Sequence, residues 1–218
     1  MTQTRAGSVS LGSLILAPAL VTLAVTLLRL IGELLNWSPV FFARAAGGAG
    51  AIVGIVWLVP IFGIYFAWKL ARSGPAPGAG AVVGLALLGF AIVAGSIALT
   101  GPLLKLGQNA QFGVIAVACV LAAVVAYRGW PALNRTLFAY GLAARAPVAV
   151  VMLIAIYANW GTHYDVAPPG FPEMAPLAKW FFIGLIPQIF MWVPFTMVAG
   201  ALCGGITLLA VGRSRPAN

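Results

Sequence analysis

Residues 11–37 read LGSLILAPALVTLAVTLLRLIGELLNW. Eighteen residues without a charge, 11–28, precede Arg29, and Glu33 follows one helical turn later. A run of about 20 apolar residues suits a helix crossing a hydrocarbon core of roughly 30 Å. The uncharged stretch has no face suited to water, so it reads as a membrane span. Ala17-Pro18-Ala19 resembles a signal-peptidase site, but the apolar run continues past it, which suits a retained first span.

The rest of the chain repeats the pattern. Of 218 residues, 62% are hydrophobic and 7% charged, against about 25% charged in soluble domains. Such a chain cannot cover its surface with polar groups in water, whereas a bilayer requires only that its backbone be internally satisfied. Alternating ten-residue segments, the mark of a membrane β-barrel, are missing. The expected fold is an all-α polytopic membrane protein, one integral membrane domain over 1–218 with about six transmembrane helices and no soluble domain. The spans are expected at 11–35, 45–68, 80–100, 110–127, 136–158 and 190–211. The last is the least regular. No charge separates Lys179 from Arg213, and Pro187 and Pro194 lie between them. A short interfacial segment near 178–187 followed by a span is expected, with one long, tilted, Pro-kinked helix as the alternative.

The net charge of +9 reflects scarce acids: only Glu33, Asp165 and Glu173. The bases are scattered singly, without the cluster that nucleic acid requires, so nucleic-acid binding is not expected. Their distribution suggests orientation. With the N-terminus inside, Arg5, Lys69, Arg72, Arg128, Arg135, Arg213 and Arg215 face the cytoplasm, and Arg44, Lys105 and Lys179 face outward. A bacterial inner membrane protein with both termini cytoplasmic is the expectation, with loop 159–179 external. Trp37, Trp160 and Trp180 then mark the outer interface, and Trp68 and Trp130 the inner one.

Helical rise puts Glu33 ~6 Å and Arg29 ~12 Å below Trp37. Glu33 on the same face offsets part of the cost of Arg29 in hydrocarbon. The pair reads either as a snorkelling anchor or as part of a polar cavity or partner contact. Arg145, in GLAARAPVAV, is the second charge within a span. Pro147 frees carbonyls near Ala143 for it to contact, which suggests an anion or headgroup site or a structural clamp. A later start to the span would leave Arg145 at the inner interface.

Loop 159–179, NWGTHYDVAPPGFPEMAPLAK, is proline-stiffened. It holds the sole histidine, His163, two residues before Asp165, with Glu173 beyond. A His and a carboxylate suit a general base, but a metal site usually needs three or four ligands, and none is expected. A second haem-ligating His is lacking, so only single axial ligation remains open. The loop suits a lid whose apolar contacts are Tyr164, Phe171 and Met174. Gln108, Asn109 and Gln111 gather at the outer edge of span four. Gly50/Gly54, Gly80/Gly84 and Gly200/Gly204 have GxxxG spacing and are expected to pack helices, within the bundle or against a partner. Cys119 and Cys203 lie inside apolar runs and read as small packing residues.

Catalytic signatures are missing, so no enzymatic activity and no fixed cofactor are expected, although lipid, quinone or pigment would suit the setting. Two functions lead. One is a transport-type protein (facilitator, channel or solute-binding permease component) with an outer-facing polar vestibule of Arg29, Glu33, His163, Asp165 and Glu173. The other is an accessory subunit of a larger membrane complex, docked on other subunits, on lipid or on a second copy. A lipid-modifying enzyme using His163 and Asp165 ranks third.

Overall fold

The computed structural model describes residues 10–48 and 50–212; Arg5, Arg213 and Arg215, used above for orientation, lie outside them. Among the described residues there are six helices long and apolar enough to cross a membrane and no strand. The six are built on α1 (Leu11–Leu34), α2 (Leu58–Ser73, with a leading turn from Ile55), α3 (Ala79–Ala98, continued by a π-turn to Leu103), α4 (Gln108–Gly129), α5 (Pro131–Ala158) and α6 (Pro176–Ala210).

Helix α1 begins at Ser10, whose hydroxyl accepts the Ser13 N–H at 3.2 Å, an N-cap bond. It runs unbroken through Pro18. Farther along, the Thr22 and Thr26 hydroxyls donate to the carbonyls four residues earlier, at 2.8 and 2.9 Å. These bonds satisfy the hydroxyls in an apolar setting. The helix ends where Asn36 turns left-handed at φ 53°.

The second span is shorter than expected. Residues 45–48 and 50–54 are not part of a long helix: Gly47, Gly48 and Gly50 take φ of 70°, 76° and 81°, conformations that favour glycine. Helical structure resumes at Ile55, with a short turn over Ile55–Trp57 leading into α2. The Gly50/Gly54 pair is therefore not a helix-packing motif. The apolar composition around it resembled a span, but the positive φ of Gly47, Gly48 and Gly50 breaks the helix.

Helix α5 starts five residues earlier than the expected 136, at Pro131, and extends over 28 residues. The last span follows the alternative reading. Helix α6 is one continuous 35-residue run rather than an interfacial piece and a separate helix. It absorbs Pro187 and Pro194 by widening into π-helical turns at Trp180–Leu185 and Gln188–Trp192, before continuing as α-helix over Val193–Gly212. A π-turn accommodates backbone that a proline leaves unbonded.

The bundle is closed at one end and splayed at the other. The closed end is where α1 begins and α6 finishes. There the main core gathers Leu14, Phe66, Val82, Ala122, Leu133, Leu137, Tyr140 and Ala201 among others. Small residues bring these helices close. A methyl group at Gly63 would lie 2.8 Å from the Gly200 backbone, and one at Gly200 or Gly204 would lie 2.4 Å from Leu137 or Leu133. Gly200/Gly204 thus packs α6 onto α5 and α2, as expected. Gly80/Gly84 does not pack within the chain: both are exposed, and a methyl group there meets nothing within 4 Å. Trp130, expected at an interface, is 4% exposed and belongs to the core. Cys119 is buried and Cys203 half-buried, and both are free thiols.

Packing at the closed end can be tested by contrast. Gly63→Ala should destabilise the protein by about 1–3 kcal/mol through overpacking, whereas Gly84→Ala should cost nothing measurable. Thermal unfolding of both variants in one detergent checks this, and equal melting temperatures would contradict it.

Candidate functional site

At the splayed end the Arg29–Glu33 pair joins three parts of the chain. Arg29 is 7% exposed and Glu33 0%. Arg29 Nε donates to Glu33 Oε1 at 2.8 Å, across one turn of α1. Its Nη1 donates to the Val53 carbonyl at 3.0 Å, and Nη2 to the carbonyls of Ala43 and Gly48, both at 3.1 Å. Arg29 is therefore no snorkelling anchor. It supplies hydrogen bonds to three carbonyls of the irregular 43–53 backbone, where Ala46–Gly48 forms only a short helical turn.

Glycines make this approach possible. A methyl group at Gly54 would lie 3.2 Å from Arg29 Nη1, and one at Gly48 3.3 Å from Nη2. Gly32 leaves room for the Phe42 ring, which would lie 2.3 Å from a methyl group there. Arg44 caps the end of α1, donating through Nε to the Glu33 carbonyl at 2.9 Å and through Nη2 to the same oxygen, a favourable place for a cation.

Glu33 also holds the 159–175 loop. Its Oε2 accepts the His163 backbone N–H at 2.9 Å, and its Oε1 lies 2.5 Å from His163 Nδ1. The bonding pattern assigns the proton to Nδ1. Burial pushes the imidazole below its usual range, and the hydrogen bond to Glu33 offsets part of that shift. The next residue, Tyr164, donates its hydroxyl to the Thr26 carbonyl at 3.2 Å. Burial pushes that hydroxyl far above its ordinary value, so it stays protonated as a donor.

Asp165 plays a different part from the one expected. Its carboxylate accepts the Gly161 N–H at 2.8 Å, and the Thr162 N–H and hydroxyl at 2.7 Å each. These bonds fold the turn that presents His163, and His163 pairs with Glu33 rather than with Asp165. Glu173 is exposed and lies outside the cavity lining. Among the described residues, no three of His, Cys, Asp and Glu converge on a point.

Beneath the loop lies a cavity of about 680 Å³. Its walls come from the splayed ends of α1, α4, α5 and α6, from 47–56 and from 163–174. Tyr164, Phe171 and Met174 line it from the loop, and Gln108 and Asn109 from the start of α4. Gln111 instead packs beside Gly101. The vestibule expected from five polar residues is therefore mostly apolar. Of those five, only Arg29 and His163 line it, with Glu33 bonded behind them.

Arg145 lies deeper in the same cavity. It is the fifteenth of 28 residues in α5 and 4% exposed, so it lies in the middle of the helix rather than at its end. Its Nη1 contacts Gln188 Oε1 at 3.5 Å, and its guanidinium stacks 4.6 Å from the centre of the Trp192 ring. It does not reach a carbonyl freed by Pro147. Gln188 and Trp192 were not anticipated as its neighbours. Both lie in a π-helical turn of α6, and a sequence reading that assumes regular helix puts such residues on the wrong face.

Against known proteins, the chain matches no family model, no curated protein and no solved structure.

Titration of His163 gives a test of the loop's attachment. A folded-state value below the ordinary 6.5 means that the unfolded chain takes up the proton first. Neutral His163 therefore contributes stability above pH 6.5, and this is lost as pH falls from 6.5 through the lower folded value. The melting temperature should drop more between pH 7.5 and 5.5 in the parent protein than in His163→Gln. Parallel pH profiles would contradict this assignment.

Proposed function

We propose that this membrane protein is a transport-type protein that binds its solute in the cavity beneath loop 159–175. The single observation that carries this reading is the convergence of Arg29, Arg145 and His163, from three separate parts of the chain, on one partly open cavity. Ligand sites are typically concave and mostly apolar, about 300–1,000 Å³, with a few polar groups that orient the ligand. A helix bundle needing only stability would close both ends with small residues, as this one does at its opposite end. Buried arginines within spans mark solute pathways or partner contacts. In this reading the loop is a lid on the outer face of a bacterial inner membrane, and both termini are cytoplasmic, in line with the distribution of basic residues.

A second reading, an accessory subunit of a larger complex, is favoured by one observation. Gly80 and Gly84 form an outward-facing small-residue step on α3 with nothing against it, a surface that suits a partner helix.

Gly113 offers the direct test, because it lines the cavity and a methyl group there meets nothing within 4 Å, so a larger side chain can start into the cavity without a clash at Cβ. Purified protein in liposomes should move or bind a member of a panel of small anions, cations and neutral solutes. Gly113→Trp should abolish that activity while leaving the melting temperature unchanged. A parent protein that neither moves nor binds any solute, yet extracts gently with a stoichiometric partner, would replace this reading with the subunit one.

A further inference from the structure

The cavity holds a buried cation that the protein itself does not neutralise. The chain has three acidic residues, and each is placed elsewhere. Glu33 is bonded to Arg29 and His163, Asp165 to its own turn, and Glu173 is exposed. Arg145 keeps only a 3.5 Å contact with the neutral Gln188 and a stack on Trp192. Its Nε is buried without a hydrogen-bond partner.

The contrast with Arg29 is informative. Arg29 has a carboxylate and three carbonyls, and its charge is used within the fold. Arg145 is at least as deeply buried, at 4% against 7% exposed, with no anion beside it. A guanidinium in an apolar interior is costly unless it is paired and bonded. Its planar fork matches a carboxylate or phosphate through two parallel hydrogen bonds. Phe112, Ala116, Val148, Met152, Ile186 and Met191 line the same cavity, and none of them can bond a polar group strongly. The space therefore offers one anion-seeking group in an apolar chamber.

We propose that the cavity binds an amphipathic oxoanion, a carboxylate or phosphate head attached to an apolar tail. The head pairs with Arg145 between Gln188 and Trp192, and the tail lies along the apolar walls towards the lid. This inference rests on the cavity being a binding site and names the ligand class it takes. The same chemistry is available from an anionic lipid entering sideways or from a soluble amphiphile entering beneath the lid.

The test uses the full-length protein in a non-ionic detergent, with decanoate, decanol and phosphatidylglycerol as probes. Binding is followed by calorimetry, and bound lipid by native mass spectrometry. Decanoate should bind the parent protein, and its affinity should fall at least about tenfold in Arg145→Gln, as expected for loss of charge-assisted hydrogen bonds. Ligand-free Arg145→Gln should melt no lower than the parent, because it loses an unpaired buried charge. If that variant fails to fold, Ala116→Phe, which leaves Arg145 in place and narrows the chamber, should block decanoate binding instead.

Phosphatidylglycerol retained by the purified parent protein and lost in Arg145→Gln would identify the bilayer as the source. Decanoate binding without retained lipid would identify the aqueous side. Equal affinity for decanol and decanoate, undiminished affinity in Arg145→Gln, or no binding of either anion would overturn the proposal. Flux of a neutral or cationic solute blocked by Gly113→Trp, with no anion binding, would defeat this inference and leave the transport reading standing. Arg145-dependent anion binding without any flux would do the reverse.

Discussion

A positive charge buried in an apolar helix must find both a counter-charge and enough acceptors for its hydrogen bonds. Arg29 meets that requirement with Glu33 and with carbonyls of the 43–53 segment, and the splayed end of the molecule follows from it. The irregular segment, whose glycines turn it away from helix, has carbonyls that need donors in a medium that offers none. Glu33, neutralised by Arg29, is then available to hold His163 through both backbone and ring. One ion pair thus fastens α1, the 43–53 segment and loop 159–175 together. Each element alone would be unsatisfied in hydrocarbon.

The two ends of the bundle are built on opposite principles. At the closed end, Gly63, Gly200 and Gly204 let backbones approach to near contact, and dispersion holds them. At the splayed end, α6 carries two π-helical turns and the cavity lies between the helices. Between them lies a chamber with Arg145 in its wall, and polar groups are concentrated towards the lid. The prolines in α6 belong to this design. Pro187 falls between the two π-turns, beside Gln188, and widening the helix there turns Gln188 and Trp192 towards Arg145.

Much of this was legible in the residues. Uncharged runs of about 20 mark spans whatever their detailed packing, so six helices and the absence of a soluble domain could be read directly. The one-turn spacing of Arg29 and Glu33 put them on one helical face, where they pair. What could not be read depends on contacts distant in sequence. AAGGAGAIVG is apolar enough to pass for a span, and only its backbone geometry shows that it is the segment Arg29 bonds. Asp165 beside His163 suggested a catalytic pair, yet its nearest donors are in its own turn. Arg145 reads as lying within a span, with the inner interface as the alternative if that span begins later; α5 instead begins earlier, at Pro131, and leaves Arg145 mid-helix. Its neighbours Gln188 and Trp192 depend on π-turns, which periodicity does not reveal.

Hydrogen exchange on Glu33→Gln, in the same detergent as the parent protein, tests the central claim most directly. If one ion pair holds both attachments, segments 43–53 and 159–175 should gain exchange together, while the closed ends of α2, α5 and α6 keep their protection. Faster exchange confined to one of the two segments, or no change in either, would contradict the account.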